Sequence, residues 1–147
     1  MGLVQNKKAH LNYEFLDRFE AGLELHGYEV KSLRRGQGTL DGARVIARGG
    51  EAYLVGASIP AFQPANAPKD YNSERPRRLL LHTKEIAQVA SAEGAKGLTI
   101  IPISVYNKGR SLKLELAIAR GKKKYDKRAD LKKREAKRAA ERTLKNN

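Results

Sequence analysis

The hydrophobic and polar positions of the first 120 residues mostly follow the two-residue period of β-strands. In the clearest case, from Leu112 to Ile118, apolar residues alternate with Lys113, Glu115 and an alanine. Such a strand turns one face inward and the other to solvent. A run rich in β-branched residues, Leu98 to Tyr106, comes just before it, so we predict a hairpin, with Pro102 at an edge or a bulge.

The same reasoning predicts strands nearer the N-terminus. Ala43 to Ala47 and Ala52 to Ile59 flank a pair of glycines, which is typical of a second hairpin. Alternation also places three aromatic residues on one strand face: Tyr13, Phe15 and Phe19.

Two stretches have the spacing of short helices. The first runs from Tyr28 to Arg35 and is followed by a glycine, which commonly ends helices. The second runs from His82 to Ala92, and we expect Thr83 as its N-cap. Between them, Ala61 to Arg78 holds three of the five prolines and shows no period, so it is predicted to be a long surface loop.

About six short strands and two helices in a basic chain favour a small closed barrel, because closure removes exposed strand edges. We therefore predict a mainly β fold with short helices. Its core is expected to be an OB-like closed antiparallel β-barrel with flanking helices, spanning residues 1–120.

Charge separates the C-terminus from this body. The formal net charge is +14, and residues 120–147 carry 13 Lys or Arg against four acids. Few apolar residues occur there, although a helix from Asp126 toward Leu144 is compatible with the pattern. An isolated helix of this length is marginal in water, so we predict a basic C-terminal tail, residues 121–147, that is disordered when free and helical when bound.

The sequence offers no constellation for catalysis. It lacks cysteine, its three histidines fall in different predicted elements, and it has neither a GxxxxGK[ST] phosphate loop nor a nucleophile elbow. We therefore expect no enzyme activity, no metal site and no cofactor. Its apolar runs are too short to cross a membrane and no secretory segment precedes them, so a cytoplasmic location without a membrane partner is expected.

A polyanion is the partner that the charge favours, since each Lys or Arg docked on a phosphate releases counterions. Three cationic clusters of the body each lie near a tyrosine in the sequence: Lys7 and Lys8; Lys31, Arg34 and Arg35; and Arg75, Arg77 and Arg78. Cations beside aromatic rings are typical of RNA-binding surfaces, although one such cluster alone is more often a solvated face. Glu20 could accept hydrogen bonds from a base or a 2′-hydroxyl, or be an ordinary strand residue.

Five strings in order carry a family resemblance: EAGLELHGYEVKSLRRG (Glu20 to Gly36), RRLLLHTKEI (Arg77 to Ile86), GLTIIPISVY (Gly97 to Tyr106), GRSLKLELA (Gly109 to Ala117) and ARGKKKYDKR (Ala119 to Arg128). From about Asn6 to the tail, the chain resembles the SmpB family of bacterial SsrA-binding proteins. The resemblance implies the same OB-like barrel with flanking helices and a basic tail.

The resemblance also implies a function. Members of this family bind the tRNA-like domain of transfer-messenger RNA (SsrA) and are required for trans-translation. With the alanyl-charged RNA and an elongation factor, they enter stalled ribosomes and place their tail in the vacant decoding site and message channel, against small-subunit ribosomal RNA.

Site residues carry over position by position. Those that match the family's RNA-binding face are Asn6, Lys7, Lys8, Glu20, Lys31, Arg34, Leu80 and Lys113, with Tyr13 as a neighbour. Those that match the tail motif that engages the ribosome are Gly121, Lys122, Lys123, Asp126, Lys127 and Arg128, and the Tyr125 ring could stack on a ribosomal base.

Two alternatives remain at this point. One is a basic ribosomal or nucleoid-associated protein that binds nucleic acid with low specificity. The other is an RNA-processing enzyme, which would need a titratable or metal-binding constellation that the sequence does not reveal.

Overall fold

Seven strands form one antiparallel sheet in a computed structural model of the chain. The structure describes the backbone of residues 2–122 and 124–146. Within the last helix, it describes the side chains of residues 128, 129 and 131–142. In chain order the elements are β1 (Gly2–Gln5), α1 (Ala9–Asn12), β2 (Tyr13–Leu23), α2 (Gly27–Arg34), β3 (Arg44–Arg48), β4 (Glu51–Val55), a 3-10 turn (Pro64–Asn66), β5 (Arg77–Leu80), α3 (Thr83–Glu93), β6 (Leu98–Lys108), β7 (Ser111–Gly121) and α4 (Lys124–Asn146).

Both predicted hairpins are confirmed. β6 and β7 pair along their whole length, and the register skips between Pro102 and Ser104, so the proline lies at a bulge of an internal strand. β3 and β4 meet at Gly49 and Gly50, whose φ angles of 59° and 77° suit a tight hairpin turn that glycine forms without strain.

The expected closed barrel is wrong. The strands follow the order β1-β6-β7-β2-β5-β4-β3, so β1 and β3 are edges, and no ladder joins them in the part of the chain that the structure describes. Helix α3 packs against both β3 and β6, while α2 lies against β1. Because helices cover the core at these places, the sheet curves around the core without the backbone hydrogen bonds that closure would need.

The aromatic face of β2 is also only partly as predicted. Phe15 lies opposite Ala119 and Asp17 opposite Ile118, so a bulge at Leu16 breaks the alternation. Tyr13 and Phe15 pack on a small cluster outside the main core, whereas Phe19, beyond the bulge, packs against the main core. One inserted residue therefore sends the two halves of the strand's aromatic set to opposite faces.

Helices α2 and α3 each have a histidine at the N-cap and a glutamate three residues later. The His26 amide donates to Glu29 at 2.8 Å, and the His82 amide donates to Glu85 at 3.0 Å. The N-cap of α3 is thus His82 and not Thr83, because the acid at the third helical position satisfies the free amide.

The predicted surface loop is anchored in the interior at its end. Arg77 starts β5 and is fully buried, as is Glu29 of α2. Arg77 donates from Nε and Nη2 to the Glu29 carboxylate at 3.0 and 2.8 Å, and the Tyr71 hydroxyl donates to it at 2.9 Å. Arg75 forms a second ion pair with the same acid. These four residues, Glu29, Tyr71, Arg75 and Arg77, form what we call the Glu29 network.

The Glu29 network strongly stabilises the ionised form of the Glu29 carboxylate. Burial alone would raise the pKa of Glu29, but hydrogen bonds from Arg75, the His26 amide, Arg77 and Tyr71 outweigh it and lower this pKa to about 2. Burial and the Glu29 carboxylate raise the pKa of Tyr71 to about 12. The acid is therefore ionised and the phenol protonated across the physiological range.

The tail contains a helix, α4, which begins two residues before Asp126, beside α1. Its described side chains, at positions 128, 129 and 131–142, are all exposed. Disorder of this segment in the free protein stays a prediction. None of the described helices has the length and apolar character needed to cross a membrane.

We predict that Glu29→Gln destabilises the protein by roughly 3–5 kcal/mol at pH 7, because it leaves the Arg77 charge buried without its partner. Glu51→Gln, which removes a half-exposed pair with Arg78, is the matched control and should cost less than about 1 kcal/mol. Urea unfolding gives both values, and equal losses in the two variants would contradict the assignment.

The pH dependence has a definite sign. The pKa of Glu29 is lowered from 4.5 to about 2 on folding, so its contribution is complete above pH 4.5 and is lost as pH falls toward 2. At about 1.4 kcal/mol per pKa unit, this contribution is on the order of 3 kcal/mol. Urea unfolding at pH 6 and pH 3 should therefore show a smaller acid-induced loss in Glu29→Gln than in the wild type.

Candidate nucleic-acid interface

A groove between α2, β2, β5 and β7 collects several of the predicted RNA-binding residues. Its volume is about 270 Å³. Three of the predicted residues line it, Arg34, Leu80 and Lys113, together with Arg110 and Gly22. We call it the Lys113 groove. Residues far apart in the sequence therefore share one surface.

Strand register explains this convergence. Leu80 of β5, Gly22 of β2, Lys113 of β7 and Tyr106 of β6 lie opposite one another in a single row across the sheet. Leu80 is 49% exposed although it is large and apolar. A Cβ at Gly22 would lie 3.1 Å from the Leu80 Cβ, so glycine lets Leu80 lie across β2. The row presents an apolar side chain beside a cation.

The cationic end of the Lys113 groove is held by α2. Arg34 donates from Nη2 to the Arg110 carbonyl at 2.8 Å, which links α2 to the β6–β7 turn. Lys31, one turn earlier, has its Nζ 5.7 Å from the centre of the Phe62 ring, and the Arg35 guanidinium lies 4.6 Å from the same ring. These contacts hold two exposed cations over an aromatic ring.

Glu20 is engaged by two residues of β6. Lys108 Nζ donates to Glu20 Oε1 at 2.8 Å, and the Tyr106 hydroxyl donates to Oε2. Hydrogen bonds from Lys108 and Tyr106 lower the pKa of Glu20, and the nearby Lys113 acts in the same direction. Burial, followed by the Glu20 contact, raises the pKa of Tyr106. The carboxylate is therefore ionised and held in place on the exposed sheet face.

The remaining residues that were predicted to bind RNA lie outside the Lys113 groove. Asn6, Lys8 and Tyr13 line a cavity of about 520 Å³ near α1, which also includes Arg44. Lys7 lines a neighbouring depression that reaches Gly36. The Asn6 side-chain amide donates to the Pro102 carbonyl at 3.0 Å, which ties this turn to β6. The structure thus divides the predicted RNA-binding residues between two regions.

The first two residues assigned to the tail motif belong to the folded body. Gly121 ends β7 opposite Tyr13. The Lys122 amide donates to the Asn12 carbonyl at 2.9 Å, and its Nζ donates to the His10 carbonyl at 2.8 Å. Burial, Arg18 and Arg134 of α4 lower the pKa of His10, which fits a helix that starts beside α1.

Most of the other tail assignments fall outside the described part of the chain. Lys123 lies outside the described residues, as do the side chains of Tyr125, Asp126 and Lys127. Arg128 is described and exposed. Among the side chains that the structure does describe, no group of three or more His, Asp or Glu could hold a metal ion.

Sequence reasoning missed three contributors, of which two contact Glu20 and the third is Phe62. Tyr106 and Lys108 contact Glu20 across an intervening strand. The sequence signal that could have found them is their spacing of two residues, which places both on the solvent-exposed face of β6. Phe62 lies in an aperiodic segment, where no local pattern could have linked it to α2.

We predict that Lys108→Ala raises the pKa of Glu20 toward 4.5, because it removes the largest stabilising contact of the carboxylate. NMR titration of the Glu20 side-chain carboxyl measures this change. Lys96→Ala, which alters an exposed lysine before β6, is the control and should leave the titration unchanged. An identical Glu20 titration in Lys108→Ala and the wild type would show that the contact does not persist in solution.

Comparison with known proteins adds a family. The family model described as SmpB protein matches residues 3–146. A relative from Zymomonas mobilis subsp. mobilis, named SsrA-binding protein, is 48% identical over 144 residues, which cover 97% of this chain and 89% of the relative. One from Thermosipho africanus, with the same name, is 44% identical over 146 residues, or 99% and 97% of the two chains.

A solved structure gives the same result. It is described as "tmRNA-SmpB: a journey to the center of the bacterial ribosome", and one of its chains superposes with a TM-score of 0.68 at 36% identity. The match covers 82% of this chain and 84% of that chain.

Proposed function

The chain belongs to the SmpB protein family, and we infer from this membership that it binds transfer-messenger RNA and serves in trans-translation, the rescue of stalled ribosomes. The observation that carries the inference is the extent of the match, which runs from residue 3 to residue 146 and so takes in both the sheet and α4. A likeness restricted to the sheet would support only the fold.

The body is the part that holds the RNA in this proposal. The Lys113 groove offers exposed cations for phosphates and the exposed Leu80 side chain for an apolar contact with a base or sugar. The cavity near Tyr13 adds a second region with Lys8 and Arg44. Two separated contact regions on one rigid sheet suit a folded RNA such as a tRNA-like domain, whose shape presents distant backbone segments together.

The tail acts on the ribosome. Described α4 side chains are exposed, and the segment is strongly cationic, which favours insertion along ribosomal RNA in a vacant decoding site and message channel. We place the start of the tail after Lys122, because that residue is bonded to α1. Delivery would occur with an elongation factor on the charged RNA, and work on ribosomes would place the protein in the cytoplasm.

The test of this function is a gel-shift competition at fixed salt between the tRNA-like domain and an ordinary RNA hairpin of equal length. The proposal expects strong preference for the tRNA-like domain. Equal binding of the two RNAs would instead favour a basic ribosomal or nucleoid-associated protein of low specificity. Metal-dependent cleavage of either RNA by the pure protein would favour a processing enzyme.

We predict that Lys113→Ala weakens binding of the tRNA-like domain and reduces the slope of log affinity against log salt by about 1, as expected for one lost phosphate contact. Lys96→Ala removes the same charge outside the Lys113 groove, and its affinity should stay close to that of the wild type. Equal losses in the two variants would assign the effect to net charge and remove Lys113 from the site.

Removing residues 124–147 should leave binding of the tRNA-like domain largely intact and abolish peptide tagging on stalled ribosomes, since the cut spares β7 and the Lys122 contacts with α1. A reconstituted translation system with a message that lacks a stop codon measures tagging. A truncated protein that still tags, or one that loses RNA binding to the same degree, would contradict the division between body and tail.

A further inference from the structure

The side chain of Glu20 reaches across a neighbouring strand. In the sheet β7 lies between β2 and β6, and adjacent strands are separated by about 4.8 Å. Glu20 of β2 is nevertheless bonded to Tyr106 and Lys108 of β6. The three side chains therefore meet above β7, on the sheet face that also carries Lys113.

Both oxygens of the Glu20 carboxylate are held by a hydrogen bond, and each can accept one more. Lys108 donates to Oε1 and Tyr106 to Oε2, so the plane of the carboxylate is set by a contact at each end. Each oxygen of an ionised carboxylate accepts about two hydrogen bonds, which leaves one position on each. The Glu20 side chain is 38% exposed, so a ligand can reach these positions.

Charge around Glu20 makes an acid tolerable in an RNA site. Lys108 pairs with it directly, and Lys113 lies close enough to affect its titration. An unpaired acid would repel phosphates, whereas this one is balanced by two cations and keeps its ability to accept hydrogen bonds. Glu115, the acid opposite Glu20 on β7, is paired with Arg18. The Glu20 carboxylate is thus suited to recognise a ligand that presents N–H donors.

Resting on the RNA-binding function proposed above, we propose that Tyr106 and Lys108 are positioning residues that orient the Glu20 carboxylate to accept the N1–H and N2–H donors of an unpaired guanine. Guanine carries two adjacent donors on its Watson–Crick edge. Adenine, cytosine and uracil each place an acceptor beside their donor, and this acceptor would face the carboxylate unfavourably.

The floor next to Glu20 suits a flat ring. Gly22 has no side chain, and Leu80 lies across it with half its surface exposed. The exposed side of Leu80, which covers Gly22, gives the face of a base an apolar contact while its edge meets the acid. Lys113, opposite Gly22, can reach the adjoining phosphate.

Exposed polar contacts such as these contribute little to folding stability. A role of these side chains in RNA binding can therefore be measured separately from a role in folding. Tyr106→Phe keeps the ring and removes only the hydroxyl. It should leave the thermal unfolding midpoint unchanged. The affinity for the tRNA-like domain should fall about tenfold, because the carboxylate loses one of its two orienting contacts and one hydrogen bond from the guanine to this charged group is no longer aligned. Tyr53→Phe, on β4, is the matched control and should have neither effect.

The identity of the base is tested with modified RNA. Replacing unpaired guanines of the tRNA-like domain one at a time with inosine removes only the 2-amino group. We expect one position at which inosine weakens binding of the wild type but has little further effect on Tyr106→Phe or Glu20→Gln. Lys108→Met, which removes the other contact, should reduce the same inosine penalty.

Several outcomes would overturn the proposal while leaving the RNA-binding function intact. These are wild-type affinity in Tyr106→Phe, absence of any inosine penalty in the wild type, or an inosine penalty of equal size in all variants. A penalty confined to 2′-deoxy substitution would assign Glu20 to a ribose hydroxyl instead. Failure of the wild type to prefer the tRNA-like domain over a hairpin would instead defeat the function itself.

Discussion

One buried ion pair holds together two of the four elements that build the Lys113 groove. The Glu29 side chain projects from α2 into the interior, where it meets the side chain of Arg77, the first residue of β5. The same helix carries Arg34 and the same strand carries Leu80, both of which line the groove. Because a charge left unpaired in the interior is costly, the helix and the strand are held in one relative position.

The Glu29 network also fixes the proline-rich segment before β5. Arg77 donates to the carbonyls of Ala57 and Ser73, and Tyr71 lies within hydrogen-bond distance of the Ile59 carbonyl at 2.7 Å. The segment is thereby held near α2, where Phe62 lies beside Lys31 and Arg35. An interior contact thus organises the cations on the surface, which are the groups an RNA would meet.

In the proposed function, the body and the tail divide the work physically. A curved sheet with buried ion pairs is suited to recognise a folded shape, while an exposed cationic helix is suited to a narrow channel lined by RNA. Lys122 joins them, since its contacts with the His10 and Asn12 carbonyls attach the root of the tail to α1. Helix α1 directly follows Asn6, Lys7 and Lys8, so the tail leaves the body beside one of the two proposed RNA contact regions.

Local patterns in the sequence predicted β7 by its clean alternation, because a two-residue period reports a half-buried surface directly. β6 was indicated by its run of β-branched residues, and the β3–β4 hairpin by the pair of glycines between its strands. The open sheet was not predictable in this way, since closure depends on whether edge strands meet, a property of tertiary packing. The bulge at Leu16 also escaped, because an inserted residue leaves no mark in composition.

The candidate site shows the same limit. Family resemblance pointed to Arg34, Leu80 and Lys113, and strand register explains why they converge. Glu29 and Arg77 gave no sign of their burial, because charged residues are expected at the surface and only the folded chain brings them together. Tyr106 and Lys108 were hidden for a related reason, since their partner lies two strands away.

The most direct test of this account is the RNA affinity of Glu29→Gln, measured at a low temperature at which circular dichroism shows that the variant is folded. Glu29 is buried and cannot contact RNA itself. If the ion pair sets the geometry of the Lys113 groove, the folded variant should bind the tRNA-like domain clearly more weakly than the wild type, while Glu51→Gln binds normally. Wild-type affinity in folded Glu29→Gln would contradict the claim that the surface depends on this buried pair.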